Sequence, residues 1–252
     1  MKILEFGSHT DIGRVREENQ DSYGKFSQDT FDLASPKGQL FIVADGMGGH
    51  RGGLQASRLT VEAIQQAYFD SGEDIAESLA LAFRAANQRV YSEGNENPAL
   101  SGMGTTCSAL VLSADRGCIA HVGDSRIYRV TQKDIIQLTQ DHSTVAELER
   151  KGLITRQEAR YHPDRSVLYR ALGTGPDVEV DLIRDIAIDT DDWFVLCTDG
   201  LCNKVNDDEV RNIVLQHTPA EACVLLTGLA NERGGQDNIT ILVVRARDVT
   251  QL

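Results

Sequence analysis

The amino-acid sequence predicts an α+β fold, a four-layer α-β-β-α sandwich of two antiparallel sheets flanked by helix pairs. Short apolar runs joined by connections of a few residues supply the strands, and amphipathic helices fall into two separate clusters. No internal repeat, low-complexity segment or Pro- or Gly/Ser-rich linker divides the 252 residues. The whole chain, 1–252, therefore reads as one domain.

Leu40-Phe41-Ile42-Val43-Ala44 is an apolar run too short for a helix, and Asp45-Gly46 ends it. Two helical stripes follow: Ala56, Leu59, Ala63 and Ala67 share one face, and Ile75, Leu79, Ala82, Phe83, Ala86 and Val90 share another. Strands are then predicted over 107–112, 118–122, 125–130 and 135–138. Links this short permit antiparallel pairing, whereas parallel strands need crossovers of about a dozen residues. From Ser143 to about Arg160 the pattern is polar and weakly helical, and Gly152 interrupts it. Strands over 178–188 and 193–197 come next. Asn206 with Glu209, and Thr218-Pro219-Ala220-Glu221, are helix-start signals; a last strand runs over 239–244. Two sheets face to face, each with a helical pair outside, bury every one of these apolar faces.

Composition narrows the function classes. At 41% hydrophobic and 25% charged, the chain is of globular type. The net charge of −13 disfavours nucleic acid and anionic lipid as partners. Cys107, Cys118, Cys197, Cys202 and Cys223 form no C-x-x-C pair, and their apolar settings suit free thiols in a reducing cytoplasm. Met1 to Glu5 lacks the apolar stretch of a secretory signal, and no run approaches the roughly 20 apolar residues of a membrane span. No appended regulatory or membrane module is expected after the last strand.

The chemistry lies in where the aspartates fall. Asp45 follows FIVA, Asp124 follows IAHVG, Asp199 follows WFVLCT, and Asp237 precedes NITILVV. Strand ends of antiparallel sheets share an edge, so these four converge on one rim. A single Asp-Gly is ordinarily a hairpin turn. Asp45-Gly46 and Asp199-Gly200, however, both run on toward helices. Clustered carboxylates raise one another's pKa unless a cation is present. Oxygen donors without paired Cys or His favour magnesium, manganese or calcium over zinc, and the first two suit phosphate chemistry. Arginines in Gly13-Arg14-Val15-Arg16-Glu17-Glu18-Asn19-Gln20-Asp21 supply the guanidinium fork that a phosphate dianion needs.

RVREENQD, VADGMGGH, GMGTT, VGDSRIYR, TDGL and GQDNIT, in this order from Arg14 to Thr240, resemble the motifs of the metal-dependent protein phosphatase family (type 2C, PPM) in its bacterial form. The resemblance implies hydrolysis of phosphoserine and phosphothreonine in proteins by a hydroxide bridging two metal ions, Mn2+ or Mg2+, with a third held more weakly. By motif, Asp45 looks like the bridging carboxylate, and Gly46 like the donor of a backbone carbonyl. Asp199 and Asp237 correspond to ligands of the other ion, Asp21 to a ligand acting through water, and Asp124 with Asp199 to the third site. Arg16 matches the phosphate-binding arginine, and Arg14 reads as surface. His50 is the candidate proton donor, or else orients a metal water. Animal and plant members differ, with His where this chain has Met47 and Glu where it has Gln20. The polar segment near 142–172 falls where bacterial members carry a flap, and a plain surface excursion is the other reading of it. The implied partners are phosphorylated proteins, targets of a serine/threonine kinase, met by a cytoplasmic monomer. The rival reading, a catalytically silent sensing or binding module, predicts a lost metal ligand, and every expected aspartate is present.

Overall fold

The computed structural model of the protein describes residues 2–27, 35–48, 52–114 and 116–248. Every strand pairing among the described residues is antiparallel. One sheet has the order β1 (Lys2–Asp11), β11 (Ile239–Asp248), β10 (Trp193–Cys197), β7 (Arg126–Val130), β8 (Ile135–Gln137). The other runs β2 (Asp21–Ser27), β3 (Gln39–Met47), β5 (Cys107–Ser113), β6 (Arg116–Val122), β9 (Asp181–Ala187), with the two-residue β4 (Gly104–Thr105) set against β3.

The strand alternation sorts side chains into three apolar layers. Phe41 and Val43 of β3 meet Phe194 and Leu196 of β10, together with Leu110, Leu112, Leu242 and Val244, between the sheets. Leu40, Ile42 and Ala44 point the other way, onto α1 (Gly52–Asp70) and α2 (Ile75–Glu96). Trp193, Val195 and Cys197 turn outward in the same manner, toward α6 (Asp207–Gln216) and α7 (Pro219–Glu232). A strand covered on both faces needs apolar residues at every position, which is why FIVA and WFVLC are unbroken runs. The four-layer sandwich expected from the sequence is the observed architecture.

Local signals behave as their chemistry requires. Asn206 and Glu209, and Thr218 and Glu221, form reciprocal capping boxes at the starts of α6 and α7. All five cysteines are free and buried. Within 142–172 lie α3 (Thr144–Arg150) and α4 (Arg156–Tyr161), and α5 (Asp199–Cys202) is a single turn directly after β10. No helix among the described residues is long and apolar enough to cross a membrane.

The strand expected over 178–188 begins only at Asp181. Val178 and Val180 pack on the apolar layer beneath α1 and α2 without joining the ladder. β1 and β2 were not expected at all. Both are edge strands that bury only part of their side chains, so their apolar content is thin, and β1 is held by a ten-residue ladder with β11. β1 finds its partner at the far end of the chain, whereas β2 pairs with the next strand, β3, and its mostly half-exposed pattern is too thin to mark it.

Candidate functional site

Five strand ends meet at one rim of the sandwich. β3 delivers Asp45, the turn after β6 delivers Asp124, and α5 starts at Asp199 where β10 stops. Asp237 and Asn238 stand just ahead of β11, and Asp21 opens β2, paired in register with Asp45. A pocket of about 970 Å³ is lined by Arg16, Asp45, Gly46, Asp124, Asp199 and Asp237 among others. The four rim aspartates and the arginine thus come together as the sequence implies. Asp21 lies behind the pocket wall and is 8% exposed. His50 lies outside the described residues.

Glycine is required where the rim closes. A Cβ on Gly46 would sit 2.0 Å from the carbonyl oxygen of Gly53, and one on Gly200 would sit 2.0 Å from that of Asn238. Any side chain at either position would push the segments apart.

The carboxylates are electrostatically uneasy. Protein surrounds Asp45, Asp124 and Asp199 on every side but the pocket, and burial together with mutual repulsion pushes Asp45 and Asp124 well above the ordinary range. Asp199 is pushed up to about 6 by burial and by Asp237. Asp21 is pushed up to about 7, chiefly by burial, although the Thr198 hydroxyl donates to its Oδ2 at 2.9 Å. Asp21 Oδ1 and Asp199 Oδ1 are buried with no hydrogen-bond partner. An orphaned buried acceptor costs about 1–3 kcal/mol, and a cation at the rim would relieve both.

Among the described residues, no three His, Cys, Asp or Glu side chains close into a ready-made ligand shell. Small hard cations keep several waters in their coordination sphere, so carboxylates spread around a pocket suit them better than a tight cage. The all-oxygen donor set fits magnesium or manganese.

Arg16 bridges the mouth. Its Nε and Nη2 donate to the two oxygens of Asp237 at 2.8 and 2.7 Å, and this contact raises the arginine's already high pKa. Asp237 Oδ1 also accepts from the Asn238 N–H at 2.9 Å, so it is Oδ2 that keeps a further lone pair, and the guanidinium keeps further N–H groups. The pair therefore leaves Asp237 able to ligate and Arg16 able to grip an anion. Arg14 is exposed, as read from the sequence.

Several positioning residues were not singled out from the sequence. Asn238 accepts from the Gln20 N–H at 2.8 Å and donates to the carbonyls of Ile12 and Glu18, tying the arginine loop to the start of β11. Thr106 and Thr105 hold the Asp45 backbone, the first by both its hydroxyl and its N–H. Thr198 links Asp21 to the Thr240 N–H. Their signal was present in the motif letters GMGTT, TDGL and GQDNIT, but a threonine or asparagine beside an aspartate has no chemistry of its own to mark it.

The profile of the family described as protein phosphatase 2C matches residues 18–223. The serine/threonine phosphatase stp of Listeria monocytogenes is 38% identical over 248 residues, covering 96% of this chain and 95% of that protein. The chain belongs to the protein phosphatase 2C family. The solved structure of the Mycobacterium tuberculosis serine/threonine phosphatase PstP/Ppp superposes with a TM-score of 0.86 at 34% identity, over 98% of this chain and 100% of that one. A PstP catalytic domain in complex with two manganese ions gives a TM-score of 0.86 at 33% identity, with the same coverage of both chains. The enzyme class of this phosphatase 2C member, protein serine/threonine phosphatase, is the one its relatives carry.

Proposed function

We propose that this phosphatase hydrolyses phosphoserine and phosphothreonine esters of proteins at the carboxylate rim, with two manganese or magnesium ions and a third, weaker one. Several observations support the reading. Aspartates from both sheets surround one pocket, burial and repulsion raise Asp45, Asp124 and Asp199 together with Asp21 behind them, and a buried oxygen of Asp199 and one of Asp21 lack partners. Asp45, Gly46, Asp199 and Asp237 would hold the two ions, with Asp21 behind them and Asp124 with Asp199 at the third. Bound there, divalent cations lower the pKa of water and neutralise charge on the phosphoryl group.

The chain's own residues do the rest. Arg16 orients the phosphate through guanidinium N–H groups that Asp237 leaves free, fixing it for in-line attack. Asp237 in turn holds the Arg16 side chain, which is 55% exposed and otherwise free to swing. Asn238 fixes the loop that carries Arg16. His50 is proposed either to donate the proton to the leaving seryl or threonyl oxygen or to orient a metal water. No cysteine is needed as nucleophile, and Cys197 and Cys202 are buried. The natural substrates would be targets of a serine/threonine kinase, met in the cytoplasm by a monomer, with residues 142–172 serving as a flap on a single catalytic domain.

The test is turnover of p-nitrophenyl phosphate and of a phosphothreonine peptide with manganese, with chelator, and in Asp237→Asn. Manganese-dependent hydrolysis of both, lost in the variant, is expected. Absence of turnover despite metal binding would overturn the reading in favour of a sensing module.

A further inference from the structure

A second cavity, of about 570 Å³, adjoins the carboxylate pocket and shares Asp124 and Asp199 with it. Its floor comes from β7, β8 and α5, through residues such as Arg126, Gln137 and Cys202. Its roof is the 142–172 segment, through Val145 and Ala146 of α3 and Ala159 of α4. Its volume lies within the roughly 300–1,000 Å³ typical of small-ligand sites. Apart from Asp124 and Asp199, proposed above for the third ion, and the flap that roofs it, none of its lining residues has a part in the hydrolysis described above.

In a chain of net charge −13, four arginines line this one cavity: Arg126, Arg150, Arg156 and Arg165. Arg126 is committed to Asp141 at 2.7 Å, and Arg156 to Asp207 at 2.6 Å. Arg150 and Arg165 are exposed and make no salt bridge among the described residues. Of the acids on the wall, Asp141 is held by Arg126, and Asp124 and Asp199 belong to the rim. Glu149 alone remains to face the two uncommitted guanidinium groups. Away from the rim the cavity is therefore cationic, and its apolar roof residues weaken the competition from water.

We propose that this cavity is a second anion subsite, which takes a phosphorylated or carboxylate side chain of the same substrate chain. The proposal rests on the phosphatase reading above, with the scissile phosphate in the neighbouring pocket. The two cavities share two residues, and an extended peptide advances about 3.3 Å per residue, so a nearby anionic side chain reaches the second cavity. Arg150 and Arg165 supply planar forks that match phosphate and carboxylate geometry. The substrate class so defined is a protein segment with a second negative charge close to the target phosphothreonine.

The experiment measures kcat/KM with manganese on phosphothreonine peptides. A second phosphothreonine, an aspartate or an alanine is walked through the positions on either side of the target. Wild type is expected to prefer the doubly anionic peptides at some position by roughly tenfold or more, with phosphate ahead of aspartate. In Arg150→Ala/Arg165→Ala the ratio should fall toward one. In Arg165→Glu it should drop further, provided the melting temperature shows that each variant is folded. Equal rates on all peptides in wild type, or a preference that survives the double variant, would overturn the subsite and leave the phosphatase reading intact. Failure of wild type on every peptide and on p-nitrophenyl phosphate would overturn both, and so the two failures are distinguishable.

Discussion

The centre of the sandwich and its rim are built by the same strands under opposite rules. At the centre, Phe41, Phe194, Leu110 and Leu242 interleave with essentially no exposure and no polar atom to satisfy. A few residues further along the chain, near the end of β3 and just past β10, Asp45 and Asp199 stand in a cluster whose charges repel. The centre gains stability from each buried side chain, whereas the rim holds carboxylates in a place that disfavours their charged form. The dry layers make that possible, because their rigidity keeps the strand ends from spreading apart. A rim of repelling carboxylates is thus sustained by an apolar core packed behind it.

Substitutions should separate the two regions. Asp45→Asn at the rim is expected to lower kcat/KM by about a thousandfold or more, equivalent to at least about 4 kcal/mol of barrier. Its metal-free melting temperature should hold or rise, since a repelled charge is gone. Phe194→Ala at the centre should do the reverse. Denaturant unfolding should show a loss of about 3–5 kcal/mol, with turnover surviving at temperatures where the fold persists. A large loss of metal-free stability in Asp45→Asn would break the comparison.

Asn238→Ala probes the seam between the regions. It removes three hydrogen bonds that join the arginine loop to β11, and leaving the partners unmet should cost about 2–3 kcal/mol. Because Arg16 rides on that loop, KM for phosphopeptides should rise as well, which steady-state kinetics would detect. An effect on stability alone would mean that the loop holds its place by other contacts.

The gentlest probe is pH. Asp21 moves from an ordinary 3.8 to about 7 on folding, so the folded state prefers its protonated form. Stability from this group is complete below about pH 4 and is lost as pH rises toward 7. Asp199, pushed up to about 6, acts in the same direction over a narrower window. His121 opposes them, since burial lowers it to about 4 and its contribution is lost as pH falls from 6.5. The Asp21→Asn variant isolates the aspartate: melting scans of metal-free protein between pH 5 and 8 should show a smaller fall with rising pH than wild type. Manganese at pH 6.5 should be taken up with proton release, visible in calorimetry across buffers of different ionisation enthalpy.

Much of this was open to reading along the chain. FIVA and WFVLC announced doubly covered strands because both faces of each must be apolar. Asn206 and Thr218 announced helix starts because a cap and its N3 partner lie within one turn. The aspartates at strand ends, with Arg16, mark the rim along the chain itself, since charged residues directly after buried runs demand an explanation. By itself, then, the sequence determined the layers, the core and the list of charged groups, all properties set by short-range pattern. The tertiary structure alone decided that β1 and β2 are strands, that Asn238 and Thr198 brace the site, and that four arginines share one cavity. Except for β2, whose apolar pattern is simply thin, those features depend on partners far apart along the chain: Asn238 lies 218 residues from Gln20, and no local pattern records a contact made across such a separation.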